Sequence, residues 1–119
     1  MKSYLNKRKK AFRYAGIGFW RMLRGEAHAK IHLIAAVAVI AAGIIFEISA
    51  TEWCLVSLCI GGVFMAEAFN TAIEKLADKV SQEYDPLIGS AKDVAAGGVL
   101  IMAIAAMAVG LIIFIPKLF

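Results

Sequence analysis

Glu67, Asn70, Glu74 and Asp78 recur at steps of three and four residues, so on a helix they line one face. They prolong an apolar run, Trp53 to Ala66, with no proline to interrupt it. Carboxylates at membrane depth are costly and mark chemistry or ion handling. If the span begins near Thr51, Glu67 lies about 24 Å along its axis, at 1.5 Å rise per residue. The hydrocarbon layer is about 30 Å thick. Glu67 is then just inside its edge and Glu74 just outside, one at the level of a lipid headgroup and one where a soluble ligand reaches. Phosphoryl transfer needs only a few parts: metal ions to neutralise phosphate charge, cations to hold the phosphates, and a base for the acceptor's proton. Carboxylates suit Mg²⁺, and Glu26, Glu74 and Asp78 can supply them. Lys92 can pair with phosphate, and the partly desolvated Glu67 can serve as base. The sequence has neither a Walker A motif nor a protein-kinase glycine loop.

The elements that must hold these residues can be read in order. At 119 residues the chain is one domain. Its 61% hydrophobic content, with the charges segregated, describes a membrane protein. Residues of about 4–25 interleave Lys7, Arg8, Lys9, Lys10, Arg13, Arg21 and Arg24 with Tyr4, Phe12, Tyr14, Phe19 and Trp20. This is an amphipathic helix lying on the membrane surface rather than a cleaved leader. Three spans follow, at about 31–48, 53–70 and 94–115. Ser49, Thr51 and Glu52 suit the start of the second, and Trp53 suits an interfacial aromatic belt. Asp85-Pro86 and Gly89 break the chain after the second span. Ser90 with Asp93 then reads as a capping box opening the third. The fold class is all-α membrane protein, a surface helix plus three transmembrane helices.

Net charge is +4, and most of the Lys and Arg precede residue 31. The connection between the first two spans has none. The positive-inside rule puts the N-terminus and the 67–93 region in the cytoplasm and the C-terminus outside. No nucleic-acid motif accompanies the basic arm, so its partner is the membrane surface. Cys54 and Cys59, five apart, are neither a CxxC nor a metal pair. His28 and His32 lack the glutamate of an HExxH site and read as interfacial hydrogen-bonding groups. Three spans cannot enclose a polar cleft on every side. Gly61, Gly62, Ala66 and Ala68, with Ala95, Ala96, Gly97 and Gly98, offer surfaces for close helix contact. An oligomer with sites at subunit borders is expected. A rival reading is a small oligomeric transporter with Glu67 as its coupling carboxylate. Lys92, Asp93 and the ladder beyond the membrane edge favour a kinase, since a transporter does not require them.

Glu67-Ala-Phe-Asn70-Thr-Ala-Ile-Glu74, then Asp78, then Pro86-Leu-Ile-Gly-Ser-Ala-Lys92-Asp93 resembles the small bacterial integral-membrane lipid kinases, the prokaryotic diacylglycerol and undecaprenol kinases. The resemblance covers nearly the whole chain, including the surface helix, Gly18 and Glu26. It implies a homotrimer in the bacterial inner membrane, with ATP as co-substrate, Mg²⁺ as cofactor, a lipid alcohol as acceptor and active sites shared between subunits. It makes Glu67 the catalytic base, in contact with the lipid, and Glu26 and Glu74 the metal ligands. Asn70, Asp78, Lys92 and Asp93 are its other polar site residues, the last two toward the nucleotide. Glu83-Tyr84-Asp85 is the nucleotide-contacting turn, and Tyr14 lies against the nucleotide. Many members have His where this chain has Asp85. The Pro86-to-Asp93 segment and Ile31-His32 look closer to the undecaprenol branch than to the diacylglycerol branch.

Overall fold

The structure is a computed structural model that describes Met1–Phe119. Four helices follow one another, α1 Lys2–Gly25, α2 Ala27–Ile45, α3 Ala50–Val80 and α4 Pro86–Leu118. There are no strands. α2, α3 and α4 are long and apolar enough to cross a membrane. The protein is an all-α, multi-pass membrane protein.

Helices α3 and α4 are longer than a bilayer requires. At 31 and 33 residues they measure about 46 and 50 Å, at 1.5 Å rise per residue. The hydrocarbon core is about 30 Å, so each has some ten residues to spare. They run antiparallel, and an ion pair ties them near either end. Lys117 Nζ donates to Glu52 Oε2 at 3.1 Å where α3 begins and α4 finishes. Lys92 Nζ donates to Asp78 Oδ1 at the other end. The ladder carboxylates Glu74 and Asp78 and the cation Lys92 therefore sit on the same protruding tip of the hairpin.

Local chemistry explains the helix ends. Ser49 caps α3 in a capping box with Glu52. The Glu52 N–H donates to Ser49 Oγ at 3.2 Å, and the Ser49 N–H donates to Glu52 Oε1 at 2.9 Å. α2 stops at Ile45 rather than near Ile48. Glu47 adopts φ 49°, and the Ile48 N–H reaches back to the Gly43 carbonyl at 3.1 Å, as in a left-handed helix stop. A non-glycine residue there costs about 1–2 kcal/mol.

The start of α4 departs from the sequence reading. The helix opens at Pro86, and no capping box forms at Ser90 and Asp93. Asp85 Oδ1 accepts from the N–H groups of Leu87 and Ile88 at 2.9 and 3.2 Å. Pro86 at the first helical position has φ preset and no N–H to satisfy. The Asp-Pro pair starts a helix one turn earlier than a Ser90 cap would, and the break shrinks to residues 81–85.

A close approach fixes the α2–α3 turn. A Cβ on Gly43 would stand 2.7 Å from Trp53 Cη2 and 3.0 Å from Ile48 Cδ1. Gly62 faces only the flexible end of Met102 at 2.7 Å, and Gly61 faces open space. Gly43→Ala is therefore expected to destabilise the protein by about 1–3 kcal/mol, the usual cost of overpacking. Gly61→Ala should be near neutral and Gly62→Ala intermediate, measured as midpoints of thermal unfolding in detergent. An unchanged midpoint for Gly43→Ala would refute the packing.

Candidate active site

Glu67 is the buried member of the ladder, 4% exposed. A buried carboxylate left alone costs several kcal/mol, and Glu67 is not alone. His32 of α2 places Nε2 at 3.2 Å from Glu67 Oε1. This contact joins residues 35 positions apart, which is why spacing within the sequence gave no sign of it. His32, read only as an interfacial hydrogen-bonding group, is the one site neighbour that sequence reasoning did not place.

One turn further along α3, Asn70 Nδ2 donates to Glu74 Oε1 at 3.3 Å. The carbonyl oxygen of Asn70 is buried and has no partner. Leaving such an acceptor unsatisfied costs about 1–3 kcal/mol. An oxygen held bare beside a carboxylate suits an incoming cation or hydroxyl. Mg²⁺ is commonly held by one or two carboxylates plus the substrate's phosphates, so this donor set fits it. No three His, Cys, Asp or Glu side chains of the protomer converge into a metal cage.

Glu26 sits at the kink between α1 and α2, with extended backbone at φ −110° and ψ 121°. Its side chain caps neither helix and forms no ion pair with Arg24 or Lys30. The carboxylate remains uncommitted and half-buried. Asp78 and Lys92 pair with each other at 65% and 37% side-chain exposure. Exposed pairs contribute about 0–1 kcal/mol, so this one matters more for where it holds the Lys92 ammonium than for stability. Asp93, Glu83, Tyr84 and Asp85 are exposed at the same end of the hairpin, and Tyr14 is exposed on α1. Ser81 Oγ donates to the Glu83 carbonyl at 2.9 Å, shaping that turn. Asp85 is committed through one oxygen to capping α4.

Between α2, α3 and α4 lies a cleft of about 490 Å³. Its walls include Ala36 from α2, Val56 and Val63 from α3, and Met107 and Phe114 from α4. The single ionisable imidazole in the wall is His32, the residue that holds Glu67. The apolar cleft thus has in its wall the imidazole that contacts the buried Glu67 carboxylate.

A profile of the family described as prokaryotic diacylglycerol kinase matches residues 13–114, which take in Tyr14, Glu26, the whole ladder and the Lys92-Asp93 pair. The chain belongs to this family. It is a membrane lipid kinase. The undecaprenol kinase of Bacillus subtilis is 43% identical over 114 residues, covering 96% of this chain and 93% of that protein. A diacylglycerol kinase of a Synechocystis species is 38% identical over 109 residues, covering 91% of this chain and 62% of that protein.

Proposed function

We propose that the protein transfers the γ-phosphate of ATP to the hydroxyl of undecaprenol at the cytoplasmic face of the bacterial inner membrane. The observation that carries this reading is the buried Glu67 in contact with His32, a residue that lines the apolar cleft. The acceptor's hydrocarbon lies along the cleft, and its hydroxyl reaches the carboxylate. Glu67 takes the hydroxyl proton as general base. Glu26 and Glu74 would hold Mg²⁺, with Asn70 bonded to Glu74. Mg²⁺ bound there would neutralise phosphate charge and orient the nucleotide. Lys92, released from Asp78, pairs with phosphate. Asp93, Glu83, Tyr84 and Tyr14 lie toward the nucleotide, and Asp85 does so while capping α4.

The protomer is poorly self-contained. Only 11 of its 119 residues are buried. Its radius of gyration is 17.7 Å, against about 13.5 Å for a compact chain of this length by the usual scaling. Lipid covers part of the exposed apolar surface, and neighbouring subunits of a homotrimer cover the rest. Sites shared across subunit borders give Glu26 and Glu74 the additional ligands that one chain does not bring together.

Undecaprenol is favoured by the Bacillus subtilis relative, which is 43% identical and matched over 93% of its own length. Diacylglycerol is the second reading, supported by the Synechocystis relative and by the weak power of apolar walls to tell one tail from another. Purified protein with Mg-ATP and each lipid in mixed micelles tests both. Higher kcat/KM for undecaprenol is expected. Preference for diacylglycerol would transfer the assignment to that lipid, and phosphorylation of neither would remove the acceptor assignment altogether.

A further inference from the structure

We propose that His32 is a positioning residue for the base Glu67, deciding which carboxylate oxygen meets the lipid hydroxyl. The inference rests on the reading of Glu67 as base. It starts from the 3.2 Å contact between Nε2 and Oε1, with the two side chains 22% and 5% exposed. A carboxylate can rotate about its last bond unless something holds one oxygen. On its own helix the nearest amide, Asn70 Nδ2, is already committed to Glu74. No Lys or Arg comes within 4.0 Å of Glu67. His32 is thus the ionisable partner that the protomer gives this carboxylate.

The geometry assigns it a definite task. With Nε2 facing Oε1 at 3.2 Å, His32 occupies that oxygen and leaves Oε2 for the lipid hydroxyl; His32 itself lines the apolar cleft. In the transfer the lipid O–H bond breaks and its proton goes to Oε2. The lipid oxygen forms a bond to the γ-phosphorus, and the bond from that phosphorus to the bridging oxygen breaks, its electron pair leaving with ADP. His32 keeps its own proton on Nε2, directed at Oε1, throughout. It touches neither lipid nor nucleotide in this step and acts only through Glu67.

The alternative is that the contact merely fastens α2 to α3. Two variants separate the cases. His32→Leu keeps bulk and removes the donor, whereas His32→Gln can place an amide N–H near the position of Nε2. Misplacing a reacting group can cost up to about a hundredfold, so His32→Leu should lower kcat by roughly ten- to a hundredfold with KM for ATP unchanged. His32→Gln should restore most of that loss. In the Glu67→Gln background, adding His32→Leu should leave the residual rate within about twofold, because residues acting as a unit are not additive. If His32→Leu fails to fold, His32→Met is read by the same criteria.

Equal losses in the Leu and Gln variants, or a further full loss in the Glu67→Gln background, overturn the proposal. So does a His32→Leu enzyme with native kcat. Wild-type protein that phosphorylates neither lipid points instead to failure of the underlying functional reading. A Glu67→Gln protein with native turnover does the same.

Discussion

Glu67→Gln is expected to lower kcat by roughly 10²–10⁴-fold, the range over which general bases contribute, while the protein still folds and binds nucleotide. The substitution is chosen for what it leaves intact. Glutamine has the size of glutamate, and its carbonyl can still accept from His32 at the place of Oε1. What disappears is the basic oxygen. A loss in kcat with little change in KM for ATP is the signature of a group needed in the transition state rather than in binding. Glu67→Asp is the companion variant. It keeps the charge but retracts the carboxylate by one methylene, away from both His32 and the lipid hydroxyl, and positional errors of that size can cost about a hundredfold. Initial rates in mixed micelles, with stability followed by thermal unfolding, decide the matter. Native turnover in Glu67→Gln would remove Glu67 from the chemistry. A loss that tracks unfolding would make the residue structural.

The membrane character of α2, α3 and α4 was legible because hydropathy is a property of the local sequence. So was the Ser49-Glu52 cap, since both partners lie within one turn. The shared face of Glu67, Asn70, Glu74 and Asp78 follows from helical period alone. Contacts between helices were not legible. His32–Glu67, Asp78–Lys92 and Glu52–Lys117 cross 35, 14 and 65 positions, and nothing in the spacing specifies them. The sequence offers Lys92 as a cation for phosphate, but not the Asp78 carboxylate that the fold sets beside it. The start of α4 was misplaced for a different reason. Asp-Pro signals a turn and also a helix start, and Ser90 offered a competing cap downstream. The two backbone N–H groups that Asp85 accepts decide between them. The unpartnered Asn70 oxygen depends on burial, which composition cannot give.

That same oxygen sets up the second large effect, on Glu74. Asn70 Nδ2 holds Glu74 Oε1 at 3.3 Å and leaves the amide's carbonyl without a partner. That carbonyl and the carboxylate are both hard oxygen donors, and the carboxylate supplies charge that the amide lacks. Glu74→Gln keeps the shape and the hydrogen-bonding capacity but removes that charge. Metal ions at transferring phosphates contribute several kcal/mol of transition-state stabilisation, and a loss of about 3 kcal/mol corresponds to roughly 150-fold in rate. We expect kcat/KM for Mg-ATP to fall about a hundredfold or more by the same arithmetic. The apparent Mg²⁺ requirement should rise, and added Mg²⁺ should recover part of the rate. Lipid KM should stay the same, because Glu74 does not line the apolar cleft. Asn70→Ala should give a smaller shift in the Mg²⁺ requirement in the same direction, since it deletes a neutral donor and frees Glu74 to move. The contrast between charge loss and donor loss separates a metal site from a purely structural amide–carboxylate pair. A structural pair would cost stability in both variants and leave the Mg²⁺ titration where it was.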